Sequence, residues 1–395
     1  MSRMKIKDIA VQKNERVDNP SYSPYSIFVG LEHYDSGEAT IRRFGSTERL
    51  ESAMKVFHAG DMLVARRNVY LKRAATVSFD GLTSGDSIVL HIADEEIRRI
   101  IPFVLNSDDF WNYANRHADG SMSKRLSPKL LMEYEFSIPD DNLHQAAEIL
   151  WAMERVKNAY RELIARTDDL VKSQFIEMFK GGKYPVVKAA DVCDFITKGT
   201  TPASSEITTE PKENSIPFLK VYNLSFDGSL LFFDVPQYIS RETHEGKLSR
   251  SKVYPNDVLM NIVGPPLGKF SLVTDDFQEW NINQAIAIFR AKEQVLPKFL
   301  LHALMQPDVL KPFLDKAQGV RQLNFSLEQC RNLTFPLPNI EEQETFCCFV
   351  EQSDKSKFAA RQALKEISDA QKALMRKKKK KKTWRRMLVK RRLST

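Results

Sequence analysis

Nothing among the 395 residues approaches the roughly 18 consecutive apolar positions of a membrane-crossing helix. The opening stretch "MSRMKIKDIAVQKNER" is too polar for a secretory signal, so a cytoplasmic protein is expected. Cysteine is scarce. Cys193, Cys330, Cys347 and Cys348 form no C-x-x-C pair and have no metal-ligand spacing to histidine. A disulfide framework and a zinc module are therefore both disfavoured, and reduced thiols are expected. Catalytic motifs are missing too: there is no H-E-x-x-H, no G-x-S-x-G and no paired-carboxylate pattern. "NIVGPPLGKFSLV" (Asn261–Val273) imitates a phosphate-cradling loop but fails on spacing. Only three residues separate Gly264 from Gly268, and Phe270 stands where a magnesium-holding Ser or Thr is needed. Its two prolines have no N–H to offer a phosphate. "NPSY" (Asn19–Tyr22) resembles the N-P-P-Y loop of amino-methyltransferases, but Ser21 replaces the second proline and no glycine-rich cofactor loop accompanies it. A turn is the expectation there.

What is present is a chain that can bury a core, with 42% hydrophobic residues and length enough for two domains. The net charge of +8 misleads. Arg376–Thr395 holds twelve Lys or Arg and no acid, which leaves the rest of the chain at −4. Any nucleic-acid surface must then be a local patch.

The sequence also repeats itself. "KVFHAGDMLVARRNVYLKRAATV" (Lys55–Val77) matches "KVYPNDVLMNIVGPPLGKFSLV" (Lys252–Val273) with one deletion. Asp61 falls on Asp257, Leu63 on Leu259 and Arg73 on Lys269. "DSIVLHI" pairs with "QAIAIFR", setting Ile88 on Ile286, "ADGSMSKRLS" pairs with "AQGVRQLNFS", and "FSIP" with "FPLP". So long a period indicates a duplicated domain rather than a solenoid. Short runs such as "DMLVA", "SIVLHI", "VLMNIV" and "AIAIF" read as strands, while "PKFLLHALMQPDVLKPFLDKAQ" reads as helical patches broken at Pro307 and Pro312.

After each copy comes a stretch with helical spacing. The first seam is Ile149, Met153, Val156, Tyr160, Leu163, Thr167, Leu170 and Gln174. The second is Phe346, Val350, Ser353, Lys357, Ala360, Leu364, Ile367, Gln371 and Leu374. Intervals of three and four predict two long, coiled-coil-like helices that pair with each other. Packing of each helix on its own domain is the alternative.

This order of segments resembles the specificity subunit of type I DNA restriction–modification enzymes. The carriers are "VCDFITKGTTP", "NDVLMNIVGPPLGKFSLV", "NQAIAIFR", "QGVRQLNFS" and "FPLPNIEEQ". The first copy departs from it, with Leu71-Lys72-Arg73 at the Gly-Lys turn and His144-Gln145 in place of "EQ". The resemblance implies an α+β (mixed α/β) fold with two tandem target-recognition domains separated by two long antiparallel helices, in a pseudo-two-fold internal repeat. The expected division is a first recognition domain over 1–141, a first spacer helix over 142–181, a second recognition domain over 182–340 and a second helix over 341–376. Residues 377–395 would be a disordered basic tail, read as a DNA-gripping arm, the product of a shifted reading frame at the lysine run, or an inert tail. The resemblance further implies no catalysis in this chain. Its partners would be double-stranded DNA, two methyltransferase subunits that bring S-adenosylmethionine, and, where present, motor–nuclease subunits using ATP and magnesium. A helical scaffold without sequence-specific DNA binding is the competing reading, and a single-chain methyltransferase is a weaker third.

Candidate DNA contacts follow from residue type and repeated position. "RRNVYLKR" supplies Arg66, Arg67, Asn68, Tyr70, Lys72 and Arg73, the densest basic segment outside the tail. Arginine and asparagine can read guanine and adenine edges, and lysine positions the backbone. Lys269 sits at the turn matching Arg73, where a cation would face a phosphate. Lys124 in "GSMSKR", Lys198, Thr200 and Thr201 in "KGTTP", Lys220, Tyr222 and Asn223 in "KVYN", and Gln318, Arg321 and Asn324 in "QGVRQLN" complete the set.

Overall fold

The computed structural model describes residues 2–120, 123–138, 143–264, 266–314 and 323–376. Gln318, Arg321 and the basic tail lie outside the described residues. The chain divides into two compact units, Met1–Arg161 with Arg361–Thr395, and Glu162–Ala360. No helix among the described residues is long and apolar enough to cross a membrane.

The first unit is built on an antiparallel sheet of β1 (Val11–Lys13), β2 (Met62–Ala65), β3 (Ala74–Thr76) and β4 (Ser87–His91), in the order β1-β4-β2-β3. β2 is apolar throughout because both of its faces are covered. Met62 and Val64 enter one core with Ile88, Leu90, Trp111 and Phe110, while Leu63 and Ala65 enter another with Val29, Phe57 and Val89. Alternate residues of a strand point to opposite faces, so a two-sided burial removes the usual polar alternation. The second core is closed by a five-stranded sheet in the spatial order Arg16–Val17, Met54–Phe57, Gly81–Thr83, Ile27–Val29, Gly45–Ser46. Helices Glu95–Leu105 and Asp108–His117 cover the first core, each started by a side chain that accepts from its first turn, Asp94 from Ile97 N and Ser107 from Phe110 N.

The second unit has a four-stranded antiparallel sheet of β5 (Cys193–Lys198), β6 (Val258–Asn261), β7 (Phe270–Leu272) and β8 (Ile286–Ala291), in the order β5-β8-β6-β7. The same division of faces recurs. Val258, Met260, Ala287 and Phe289 serve one core, and Leu259, Ile286 and Ile288 serve the other. A five-stranded sheet runs Ile207–Thr208, Tyr238–Ile239, Ile216–Leu219, Trp280–Ile282, Lys252–Val253.

Two expectations need correction here. Ile88 lies opposite Val64, whereas Ile286 lies opposite Asn261 and Ala287 opposite Met260. With Asp61 set on Asp257, Ile88 therefore corresponds to Ala287, one residue from the pairing read in the sequence. Strands buried on both faces carry no alternation to fix that register. The proline-rich segment is also more helical than expected, forming Pro297–Leu304 and Pro307–Leu314. Pro307 opens its helix, where its missing N–H costs nothing, and Pro312 sits inside the same helix.

The long helices are α1 (Leu143–Phe179) and α2 (Ile340–Arg376), each of 37 residues and hence about 55 Å long. The unit boundary passes through both. In α1 the expected seam is displaced. Val156, Leu163 and Leu170 are exposed, at 44%, 47% and 53%, and Ile149, Met153 and Tyr160 are only half-buried. The inward positions come one residue later, at Leu150, Glu154 and Lys157 in the first unit and at Val171 and Phe175 in the second. One residue rotates a helix face by about 100°. The true seam contains charged side chains, and a search for apolar periodicity steps past them. In α2, Phe346, Val350, Ser353, Lys357 and Ala360 are buried, and Leu364, Ile367, Gln371 and Leu374 are half-buried.

Those buried charges are paired. In the first unit Lys157 Nζ lies 2.9 Å from Glu154 Oε2 and 3.9 Å from Glu38 Oε1, and donates to Gln371 Oε1 of α2 at 3.2 Å. Arg42 and Arg161 add a second and third cation to Glu38. Burial opposes ionisation of Glu154, but the charge and hydrogen bond of Lys157 outweigh it and hold the carboxyl below its usual range. Burial, reinforced by the neighbouring Glu154 charge, pushes Glu38 up. In the second unit Lys357 of α2 donates to Asp168 of α1 at 2.9 Å and lies 3.0 Å from Asp354. Its pKa is opposed by burial and raised overall by these two carboxylates. Below them an aromatic cluster of Phe175, Phe179, Phe299 and Phe346 locks both helices onto that unit, with ring centroids 5.1–6.3 Å apart.

Candidate nucleic-acid interface

In the first unit the basic segment is the turn from β2 to β3. Asn68 and Lys72 both take left-handed backbone, with φ of 53° and 49°, around a single tight turn at Val69–Leu71. Asparagine tolerates this conformation better than lysine. Val69 is buried and pins the turn, leaving Tyr70 59% exposed at its tip. A second segment is laced against it. Asn68 N donates to Lys124 O at 2.9 Å, and Leu126 N donates to Arg66 O at 2.8 Å. The structure thus brings together two stretches of the sequence, 66–73 and 123–126, that were singled out separately.

Not all of their side chains face outward. Arg73 donates to Leu31 O at 2.9 Å and to Arg67 O at 3.0 Å, and burial lowers its pKa. It braces the turn. Lys124 donates to Asn115 O at 2.7 Å, near the end of helix Asp108–His117, and Lys72 lies 3.1 Å from Asp108. These three cations were expected at DNA and instead spend donors within the fold. Arg66 is half-buried, and its Nε has no hydrogen-bond partner. Arg67 is exposed, 3.4 Å from Asp86 Oδ2, and Arg125 Nη2 lies 3.9 Å from Asp86 Oδ1. Neither Arg125 nor Asp86 was picked out from the sequence. Arg125 lies in a stretch that was quoted, and Asp86 sits just before a strand.

In the second unit the corresponding turn joins β6 to β7. Asn261, fully buried, accepts from Lys269 N at 2.7 Å and donates to Pro266 O at 2.8 Å, closing the loop from inside. Gly268 at φ 92° permits the reversal just before Lys269. Lys269 Nζ stands 5.7 Å above the Phe226 ring, and Phe226 is 57% exposed. Asn324, exposed, lies in a short strand, Leu323–Asn324, paired with Val263–Gly264 beside the turn. Asn223 is a correction. It is fully buried, accepts from Lys220 N at 2.9 Å and donates to Leu231 O and Val235 O, so it shapes a loop and reads nothing. Tyr222 beside it is 41% exposed. Lys198 and Thr201 are exposed and Thr200 half-buried, and Thr201 Oγ1 accepts from Gln284 N at 3.4 Å. Gly199 between them is obligatory, because a Cβ would lie 2.2 Å from Asn283 O.

Each turn hangs on a strand whose start is stapled. Asp61, buried, accepts from His58 N and lies 2.9 Å from His91 Nδ1. Asp257, also buried, accepts from Tyr254 N and takes both Arg290 Nε and Nη2 at 2.8 and 2.7 Å. Such a fork is the strong form of a carboxylate pair. The matched aspartates are therefore structural.

Among the described residues one trio has metal-ligand types close together, His244, Glu245 and Glu279. Its chemistry does not fit an ion. Asn281 Oδ1 accepts from Ile282 N and Ser251 Oγ, which turns its Nδ2 toward His244 Nδ1 at 3.0 Å. Nδ1 then accepts, and neutral His244 carries its proton on Nε2, the only nitrogen that could face the carboxylates. Lys252 and Arg241 already compensate Glu245 and Glu279.

Each unit thus presents one exposed, braced turn on a stapled hairpin. Residues 182–368, just under half of the chain, match the family model described as the type I restriction modification DNA specificity domain. A curated relative, the type I restriction enzyme EcoBI specificity subunit of Escherichia coli, is 29% identical over 133 residues, 32% of this chain and 28% of the relative. The match thus spans under a third of that relative's length. Among solved structures, a chain from a study of complex assembly and conformational transition of the type I R-M system is 19% identical, with 95% of this chain and 96% of that one covered and a TM-score of 0.46. The S subunit of a type I restriction-modification system from M. genitalium is 12% identical, with coverages of 95% and 94% and a TM-score of 0.49.

Proposed function

We propose that the chain is the DNA-recognition subunit of a type I restriction–modification complex. The observation that carries this is the match of residues 182–368 to a DNA specificity domain. On this reading the two units are duplicated target-recognition domains, each reading one half of a bipartite site. Support comes from the shared strand order of the two four-stranded sheets and from the matching placement of the turns at 66–73 and 262–269. α1 and α2 form an antiparallel pair. The contacts of Lys157 with Gln371 and of Lys357 with Asp168 support that pairing. The chain itself performs no chemistry. S-adenosylmethionine enters with two methyltransferase subunits, and ATP and magnesium enter with motor–nuclease subunits where these are present. The complex acts on chromosomal and invading DNA in the cytoplasm.

The DNA contacts proposed are Arg66, Arg67, Asn68 and Tyr70 in the first unit and Lys198, Thr200, Thr201, Lys220, Tyr222, Lys269 and Asn324 in the second. Neutralised phosphates release counterions, so binding must weaken steeply with salt, while base contacts separate the target from random sequence. The test is selection of bound duplexes from a randomised pool by the chain assembled with its methyltransferase. One split motif is expected. Enrichment of no motif at any salt concentration leaves the scaffold reading.

A further inference from the structure

One carboxylate in the first unit stands between two exposed guanidinium groups. Asp86 offers Oδ2 to Arg67 Nη1 at 3.4 Å and Oδ1 to Arg125 Nη2 at 3.9 Å. The three backbones are fixed independently of these side chains. Arg66 N donates to Asp86 O at 2.9 Å, Arg67 and Arg125 face each other across an antiparallel bridge, and Arg125 exchanges both of its main-chain hydrogen bonds with Asp119, at 2.8 and 3.0 Å. Arg73 holds the carbonyl of Arg67 from below. Both arginine side chains keep 44% and 47% of their surface in solvent, and Asp86 keeps 28%.

A phosphate-gripping patch would not be built this way, because a carboxylate among its cations repels the phosphate. Base edges impose the opposite demand. A guanine presents two acceptors, O6 and N7, that match a guanidinium fork, and its paired cytosine presents an amino donor that a carboxylate accepts. A carboxylate beside an arginine also restricts a side chain that otherwise loses rotamer freedom on binding. We infer that Arg67, Arg125 and Asp86 form a guanine-reading site, which places at least one G·C pair in the half-site read by the first unit. Asp86 is a positioning residue that aims the two forks. The inference rests on the proposed DNA-recognition function. In the corrected register the matching position in the second unit is Ala285, whose carbonyl accepts from Ile262 N as that of Asp86 accepts from Arg66 N, so no carboxylate stands there and the two halves read different sequences.

The test uses the chain in complex with its methyltransferase and a pool of duplexes randomised across the site. The unaltered complex should enrich a split motif with a guanine in one half. Arg67→Lys keeps the charge but loses the fork, and should lower preference for that guanine on the order of 5- to 150-fold while leaving the salt dependence unchanged. Arg125→Lys should act at the same base pair or its neighbour. Asp86→Asn should relax the same position and leave affinity for random DNA equal or higher. Thermal melting of each variant separates misfolding from lost readout. A motif without guanine in either half, or an Asp86→Asn motif identical to the original in a folded complex, overturns the guanine site and leaves DNA recognition standing. If the unaltered complex enriches no motif, the proposed function falls first.

Discussion

Replacing Lys157 by Met removes the central cation of the buried network in the first unit. Lys157 is 3% exposed and Glu154 1%. After the change Glu154 Oε2 keeps only Gln371 Nε2, at 3.5 Å, and Oε1 has no hydrogen-bond partner. An uncompensated buried charge typically costs 3–5 kcal/mol. Arg42 and Arg161 approach Glu154 Oε1 at 3.7 and 4.0 Å and recover part of that, so about 3 kcal/mol is expected at neutral pH. For a unit of this size that lowers Tm by roughly 6–12 °C. Adding Glu154→Leu removes the orphaned charge, and the double variant should return to within about 1 kcal/mol of the original. The cost of the single change should also shrink in acid, because a protonated Glu154 no longer needs a partner. Urea unfolding of the purified chain, followed by circular dichroism at neutral and acid pH, measures all three quantities. A double variant as unstable as the single one would refute the reasoning, since the loss would then be packing rather than charge.

Lys269→Ala should reduce the slope of log affinity against log salt by about one without altering the selected motif, as a phosphate contact requires; a changed motif would make it a base contact. Asn261→Ala should free the 262–269 loop and blur the half-site of the second unit while leaving the other half sharp in the same selection experiment. Burial pushes His302 down to about 4 from 6.5. The unfolded chain then binds a proton that the native state refuses, so stability should be intact above about pH 6.5 and decline toward pH 4; His302→Gln should flatten that part of a Tm-against-pH curve. Native mass spectrometry should find two methyltransferase subunits per chain, and a one-to-one complex that resists excess partner contradicts the duplicated docking surface.

The long helices were legible because nearly forty residues without Gly or Pro leave few alternatives. Their inward face was not. Glu154, Lys157 and Asp168 occupy seam positions that any hydrophobic pattern assigns to solvent, so the apolar stripe at Val156, Leu163 and Leu170 drew attention to the outer face instead. The hairpin turns were legible through their repeated place in the chain and their basic residues. What each cation does there was hidden, because tying Arg73 to Leu31 O or Lys124 to Asn115 O depends on segments distant in sequence. Asn223 illustrates the limit: "KVYN" looks like a polar contact loop, yet its asparagine is the buried peg that shapes it. Asp86 shows the reverse, an acid that composition argues against and geometry sets between two arginines.

The account turns on whether this chain dictates which DNA sequence is modified. Single-molecule sequencing of methylated bases in cells with the gene, without it, and with Arg67→Ala measures that directly. The expected result is a split methylated motif that disappears with the gene and loses definition in one half only with the variant. A methylation pattern identical in all three strains would contradict it.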